Sequence, residues 1–490
     1  MQISVEQAMQ LAIQQHQAGR FAEAEQIYRQ VLAERPNYGD ALHLLGTLCA
    51  QRGDFDTAVD LIGRAVTANP KVAVYQSNLG NALREMGKPK EAIAAYLEVL
   101  RLDPTAAKDY ANFAAAFRES GNLEAAMKAC RRGLKLTPKL AELHHEMGLA
   151  LLEKGDLDAA IASLRRAIAI NPQWPSPHWN LSIALLLKGD YRQGWIEHEW
   201  RLQMKQFESS RPPFDKPKWD GEDLKGRTVL LTPEQSYGDM IQFIRYVPLI
   251  QDRGGHAVIA RLPAWQRLLE GIPGLKQLET VTADSFDLYC PFVSLALAFA
   301  TRVKSIPADI PYLLSDADLV EALGSKLDSS NGKLKIGIAW TAPPTEKRDT
   351  SRSISPAQLE PLNSVNDVEY YALQNRPTPP LGASPPDGLR LIDPPVEWTD
   401  YADIAALISY MDLVICVDSA VAHVAGAMGK TVWLMLSTRP DWRWLPGRED
   451  NPWYPTMRIF RQKSPGDWAE VVGRVQEALG EFVNARINEK

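Results

Sequence analysis

"DLVICVDSAVAHVAGAMGKTVWLML" (residues 412–436) decides how the carboxy-terminal part of this chain folds. An apolar run, "DLVICVD", stops on Asp418. A small-residue segment with one histidine follows, and a second apolar run, "TVWLML", comes after it. Strands covered on both faces read as continuous apolar runs rather than as alternation, so this stretch predicts a strand, a helix and a parallel strand. Ser419 is a residue type preferred at a helix N-cap. In open parallel sheets ligands bind beyond the carboxyl ends of the strands, and a helix start offers free N–H groups and the positive end of its dipole to an anion. The pattern thus places Asp418, Ser419, Ala420 and His423 around a diphosphate, with Asp418 free to bond a sugar hydroxyl. Read for structure alone, the same residues end a strand, cap a helix and pack against a sheet.

The same alternation extends outward from this stretch. "RTVLLTPEQSYGDMIQFIRYVPLIQDRGGHAVIA" (227–260) reads as strand, loop, helix and strand, and the series continues through "FDLYC" to "IPYLL". It pauses near "LDSSNGK" at 327–333, then resumes with "LKIGIAW", "VEYYALQ", "LRLID", "DLVICVD", "TVWLML" and "MRIF", before a helix from about Asp467 to Val483. Two Rossmann-like halves are expected, 225–330 and 331–490, with a cleft between them. Asp239, at the start of the first-half helix, is expected to face that cleft, where a carboxylate can take a proton from a hydroxyl. It is equally a residue type favoured as an N-cap. Glu234 is the alternative base. After strand "IGIAW", the loop "TAPPTEKRDTSRSI" carries Lys347, Arg352 and Ser353, cations and a hydroxyl suited to a leaving diphosphate. A solvated loop would carry the same residues. The tryptophans of "DWRWLPGREDNPWYP" suit stacking on a sugar or base or the sealing of that loop onto the core.

The amino-terminal part follows a different rule. Gly19, Gly53, Gly87, Gly121, Gly155 and Gly189 recur every 34 residues, and Pro36, Pro70, Pro104, Pro138 and Pro172 keep the same step. With glycine at only 31 of 490 positions, six in register set a repeat. Gly46, Gly80, Ala114, Gly148 and Ser182 let paired helices approach, and each proline ends a unit because it cannot continue the hydrogen-bond ladder. The period and spacing resemble the tetratricopeptide (TPR) pattern, which implies an all-α TPR solenoid over residues 1–208 with a protein-binding groove. Asn78, Asn112 and Asn180 occupy equivalent first-helix positions, where side-chain amides can bond a partner's backbone; asparagine is also simply common there. Prolines and glycines in "ESSRPPFDKPKWDGEDLKG" mark a linker at 209–224.

At 45% hydrophobic and 23% charged the chain is globular, and its net charge of −6 argues against nucleic acid as a partner. Cys49, Cys130, Cys290 and Cys416 are too scattered for a disulfide framework or a zinc site. A reduced cytoplasm is expected, with no transmembrane segment; peripheral membrane contact is left open. No metal site is expected.

"YGDMIQFIRY", "VDSAVAHVAGAMGKTVWLML" and "PDWRWLPGREDNPWYPTMRIFRQ", in this order behind the repeats, resemble TPR-linked bacterial glycosyltransferases. That region is similar to the heptosyltransferase family (glycosyltransferase family 9) and more distantly to the O-linked N-acetylglucosamine transferases. The resemblance implies an α/β GT-B fold after the solenoid, and an inverting, metal-independent transfer with a nucleotide-sugar as substrate and no cofactor. It assigns Asp239 as general base and Asp418, Ser419 and His423 to the donor's sugar and diphosphate. It matches Arg352 and Ser353 to the "RS" that follows the first donor-half strand. The acceptor would be a protein or a glycan, recruited by the repeats. Two departures, Tyr237 before the Gly-Asp pair and Pro343 in the loop, favour the alternative of a TPR adaptor whose transferase half has lost turnover.

Overall fold

Helices in pairs fill the amino-terminal part, from Val5–Gln17 to Tyr191–His198. The six period glycines join the two helices of each pair with φ between 68° and 84°, the left-handed region that side chains disfavour. Within a pair the approach is tight: a Cβ on Gly80 would stand 2.7 Å from the Tyr96 ring, so only glycine fits. Alanines one period apart, Ala24, Ala58, Ala92, Ala126 and Ala160, are all buried between helices, none more than 1% exposed. The computed structural model describes residues 4–234, 236–327, 332–342, 351–374, 388–393, 399–439 and 441–488. Lys347, Pro343 and the proline-rich stretch 375–387 lie outside them.

The chain divides into two compact units, Met1–Leu181 and Ser182–Lys490. The division falls inside the sixth repeat, and its second helix, Tyr191–His198, packs into the second unit. Trp195, 2% exposed, donates from Nε1 to the Thr301 carbonyl at 3.1 Å, and its ring meets that of Trp442 edge-on at 5.2 Å. The 209–224 segment is pinned as well, with Trp219 fully buried and Lys218 bridged to Tyr289.

The second unit holds two all-parallel sheets. Strands β1 (Thr228–Thr232), β2 (His256–Ala260), β3 (Leu275–Leu278) and β4 (Leu288–Pro291) lie in the order β3-β2-β1-β4. Strands β5 (Leu334–Ala339), β6 (Val368–Ala372), β7 (Leu391–Ile392), β8 (Leu413–Val417), β9 (Val432–Leu436) and β10 (Met457–Arg461) lie in the order β10-β9-β8-β5-β6-β7. The second order is that of a doubly wound sheet whose direction of winding reverses between β5 and β8. Strands β8 and β9 are buried along their whole length. Ile336, Ile338, Ile415, Val417 and Met435 join Val471, Val472, Val475 and Leu479 of the last helix, Trp468–Asn488, in one core. Each such side chain contributes about 1.5–3 kcal/mol when removed from water.

One local expectation fails and one strand went unread, each for a physical reason. "IPYLL" forms no strand, because the Tyr312 and Leu313 N–H groups go to the Ala427 carbonyl at 3.0 and 3.3 Å, satisfying the end of a helix. Strand β3 has a half-exposed, polar-interrupted sequence, "LKQL", at the sheet edge, and no apolar run marks it.

Candidate functional site

Both segments that leave the switch point of the second sheet converge there. Helix Ala420–Ala427 follows β8, and Ser419 is its N-cap residue, with φ −148° and ψ 171°, but its hydroxyl makes no cap hydrogen bond. The Ser419 Oγ is buried and has no hydrogen-bond partner among the described residues. The first N–H groups of any helix lack intrahelical acceptors. Asp418, 8% exposed, receives Arg352 Nη1 on Oδ2 at 3.3 Å. Burial raises the Asp418 carboxyl above the usual carboxylate range, and the Arg352 charge opposes that shift. Ser353 pins the segment it shares with Arg352: its Oγ accepts from the Ala342 N–H at 3.0 Å and donates to the Ala342 carbonyl at 3.3 Å.

His423 sits one turn into the same helix, 4% exposed, its Nδ1 hydrogen-bonded to the Tyr454 hydroxyl at 2.9 Å. Gly238, from the helix Tyr237–Phe243 after β1, lies directly against the imidazole: a Cβ there would stand 2.8 Å from Cδ2 and 2.9 Å from Nε2. The Gly-Asp element of the first sheet and the Asp-Ser-His element of the second therefore meet face to face. Arg245 stiffens the junction. Its guanidinium donates to the carbonyls of Trp453 (2.7 Å), Pro307 (3.1 Å) and Gln242 (2.8 Å), and lies 4.9 Å from the Tyr454 ring centre.

Burial, reinforced by the charges of Arg245 and Arg352, holds His423 neutral, pushing its pKa down to about 3. An unfolded chain binds that proton near 6.5. Between those values the unfolded state carries the extra proton, so stability falls as pH drops below about 6.5, by up to about 1.4 kcal/mol per unit. The stability difference between the wild type and His423→Gln, from urea unfolding, is expected to change by about 2 kcal/mol between about pH 7 and about pH 5. A difference that stays constant would show a solvated imidazole.

Asp239 lies in the first turn of its helix, beside Gly238, and is ion-paired with Arg443. The same guanidinium donates from Nη1 to Asp441 Oδ1 at 2.7 Å and from Nε to Gln242 Oε1 at 2.7 Å. Arg443 and Asp441 were not singled out from sequence. The signal was the acid and base embedded in the tryptophan-rich stretch, which reads first as aromatic. Those tryptophans seal: Trp442, Trp444 and Trp453 are each 3% exposed or less. Glu234 is unavailable as a base, since Arg201 grips it with Nε at 2.7 Å and Nη2 at 2.8 Å and its side chain is 2% exposed. Tyr237 does not fill the junction. Its ring is 53% exposed and rests 5.3 Å from the Trp265 ring.

The three asparagines belong to the first unit and lie on first helices, each half-buried. Asn78 Nδ2 hydrogen-bonds His43 Nε2 at 2.7 Å, and Asn180 Nδ2 hydrogen-bonds His145 Nε2 at 3.0 Å, one repeat earlier in each case. Burial lowers both histidine pKa values, that of His145 to about 4, which leaves neutral rings able to accept from the amides.

Comparison with known proteins finds matches in both parts of the chain. Tetratricopeptide repeat models match residues 15–80, 73–106, 110–140 and 148–189. The model of glycosyltransferase family 9 (heptosyltransferase) matches residues 398–443, the segment that holds Asp418, Ser419, His423 and Arg443. The chain is similar to Protein FlbA of Caulobacter vibrioides, 26% identical over 321 residues, which cover 59% of this chain and 52% of that protein. The chain thus spans about half the length of that curated relative. Among solved structures it is similar to the MamA protein (22% identity, 34% of this chain and 92% of that one, TM-score 0.32). It is also similar to TTC0263, a thermophilic TPR protein of Thermus thermophilus (20% identity, 37% and 100%, TM-score 0.32). No helix among the described residues is long and apolar enough to cross a membrane.

Proposed function

We propose that the Ser182–Lys490 unit is a glycosyltransferase of the GT-B arrangement, inverting and independent of metal, with a nucleotide-sugar as donor. The observation that carries this reading is the helix start at Ser419, whose hydroxyl makes no cap hydrogen bond and has no partner among the described residues, at the switch point of a doubly wound sheet. Fixed N–H donors there stabilise the charge that develops on a departing diphosphate. Asp418 holds a sugar hydroxyl, and Arg352 lies beside it for the phosphates. The repeats bring a protein or glycan acceptor, and a carboxylate of the junction takes the acceptor's proton. The partial match to the family 9 model supports this chemistry, and heptosyl transfer fits that family. The wider likeness to O-linked N-acetylglucosamine transferases rests on the order of motifs alone.

A thermal-shift screen of nucleoside diphosphates and their sugars tests the reading. A ligand at 100-fold its Kd raises stability by about 2.7 kcal/mol, so a clear rise in Tm is expected with at least one nucleotide, reduced in Asp418→Ala. If no nucleotide shifts the wild type, the chain is the adaptor that the alternative describes.

A further inference from the structure

Tyr237, the bulky residue before the Gly-Asp pair, is the exposed member of a cluster of three rings. Trp265 precedes the helix Gln266–Glu270 after β2, and Tyr401 opens the helix Tyr401–Ser409 before β8. Their rings stack at 3.6 Å and 12°, and the Tyr401 N–H donates to the Ala264 carbonyl at 3.0 Å. Arg267 ties the same two helices together: it donates from Nε to Asp400 Oδ2 at 2.7 Å, and from Nη2 to Asp403 Oδ1 at 2.9 Å and Thr399 Oγ1 at 2.8 Å. Trp265 is fully buried and Tyr401 half-buried. Tyr237 leans on both, 5.3 Å from the first ring and 6.4 Å from the second, and keeps more than half of its surface open. A single exposed ring is ordinary. This one rests on a support locked by an ion-pair clamp, and its neighbour Gly238 lies against His423.

We propose that Tyr237 is the platform on which a sugar ring of the acceptor stacks, so that the acceptor is a glycan. This rests on the glycosyltransferase reading. A pyranose presents C–H bonds on its faces and hydroxyls around its edge. The C–H face packs on an aromatic face, which carries the negative part of the ring quadrupole. The hydroxyls find hydrogen-bonding groups beside the stacked rings, in the exposed Thr399 and the partly open Arg267. Charge selects against the other flat ligand of the reaction, a nucleobase that carries a diphosphate. In the clamp one guanidinium faces two carboxylates, Asp400 and Asp403, which leaves it net negative, and like charges brought together oppose binding. The place also suits an acceptor, because a ring stacked on Tyr237 lies at the edge of the junction, two residues from Asp239.

The test uses the full chain and saturation-transfer NMR with the methyl glycosides of glucose, galactose, mannose and N-acetylglucosamine. Release of nucleoside diphosphate from a panel of UDP-, GDP-, ADP- and dTDP-linked sugars is followed alongside. At least one glycoside is expected to receive saturation from the wild type and to stimulate release. In Tyr237→Ala the saturation transfer is expected to fall and the KM for that glycoside to rise about tenfold, with a smaller change in kcat. Tyr237→Phe, which keeps the ring, is expected to restore both. The Tm rise on binding nucleoside diphosphate is expected to be the same in all three proteins. Saturation transfer that is unchanged in Tyr237→Ala, or that falls equally in Tyr237→Phe, overturns the proposal. So does a smaller Tm rise in Tyr237→Ala, which would place the ring under the donor's base. A wild type that binds nucleoside diphosphate but no glycoside overturns it too. A wild type that binds no nucleotide overturns the parent reading, whatever the glycosides do.

Discussion

Arg201→Ala is expected to destabilise the chain by about 3–5 kcal/mol, the range for breaking a buried ion pair on one side. Arg201 is fully buried and makes five hydrogen bonds: two to Glu234, and one each to Glu199 Oε1 (2.9 Å), the His198 carbonyl (3.0 Å) and Ser294 Oγ (2.9 Å). Glu199 keeps Lys218 at 2.7 Å and would survive the loss. Glu234 would not: among the described residues its remaining hydrogen bond is from the Val293 N–H at 3.2 Å, and its charge would lie uncompensated in the interior. Urea unfolding at neutral pH measures the cost. Arg201→Ala combined with Glu234→Gln is expected to cost less than the sum of the two single changes, since residues in one network couple. A single-variant cost below about 1 kcal/mol would show that water reaches Glu234, because surface pairs are worth no more than that. The loop between β1 and the Asp239 helix is fixed from behind by this pair, so the change is also expected to slow any chemistry at the junction.

Gly238→Ala is expected to cost about 1–3 kcal/mol by overpacking and to lower turnover about 100-fold, the effect of a misplacement near 1 Å. The backbone at Gly238 is helical and accepts alanine; the obstacle is the imidazole within 3 Å of the new methyl. His423 cannot retreat, because Tyr454 is fully buried, holds Nδ1 and lies under Arg245. Nucleoside diphosphate release from the sugar panel reads the activity and urea unfolding the stability. If neither changes, the two elements do not touch in solution.

Much of this fold was legible because its rules are local. A repeat of 34 residues is visible since each helical pair packs only against its neighbours, and the same small residues must recur at the same step. The apolar runs of β1, β5, β8 and β9 were readable because central parallel strands are covered on both faces. Strand β3 was not, since an edge strand needs no such run, and "IPYLL" misled because its N–H groups serve a helix end rather than a ladder.

For the site, the chemistry of the helix start after Asp418 and its orientation to the sheet follow from residue type and spacing. What the sequence by itself determined is therefore each half of the junction: which strand ends in an acid, which helix begins with small residues, and where a Gly-Asp pair opens the other sheet. Only the tertiary structure decided which groups meet there. Arg443 lies 204 positions from Asp239 and Arg245 lies 208 from Trp453, and no periodicity links residues so far apart. Whether a carboxylate is clamped, open or buried depends on those distant partners, and so does the proton it can carry.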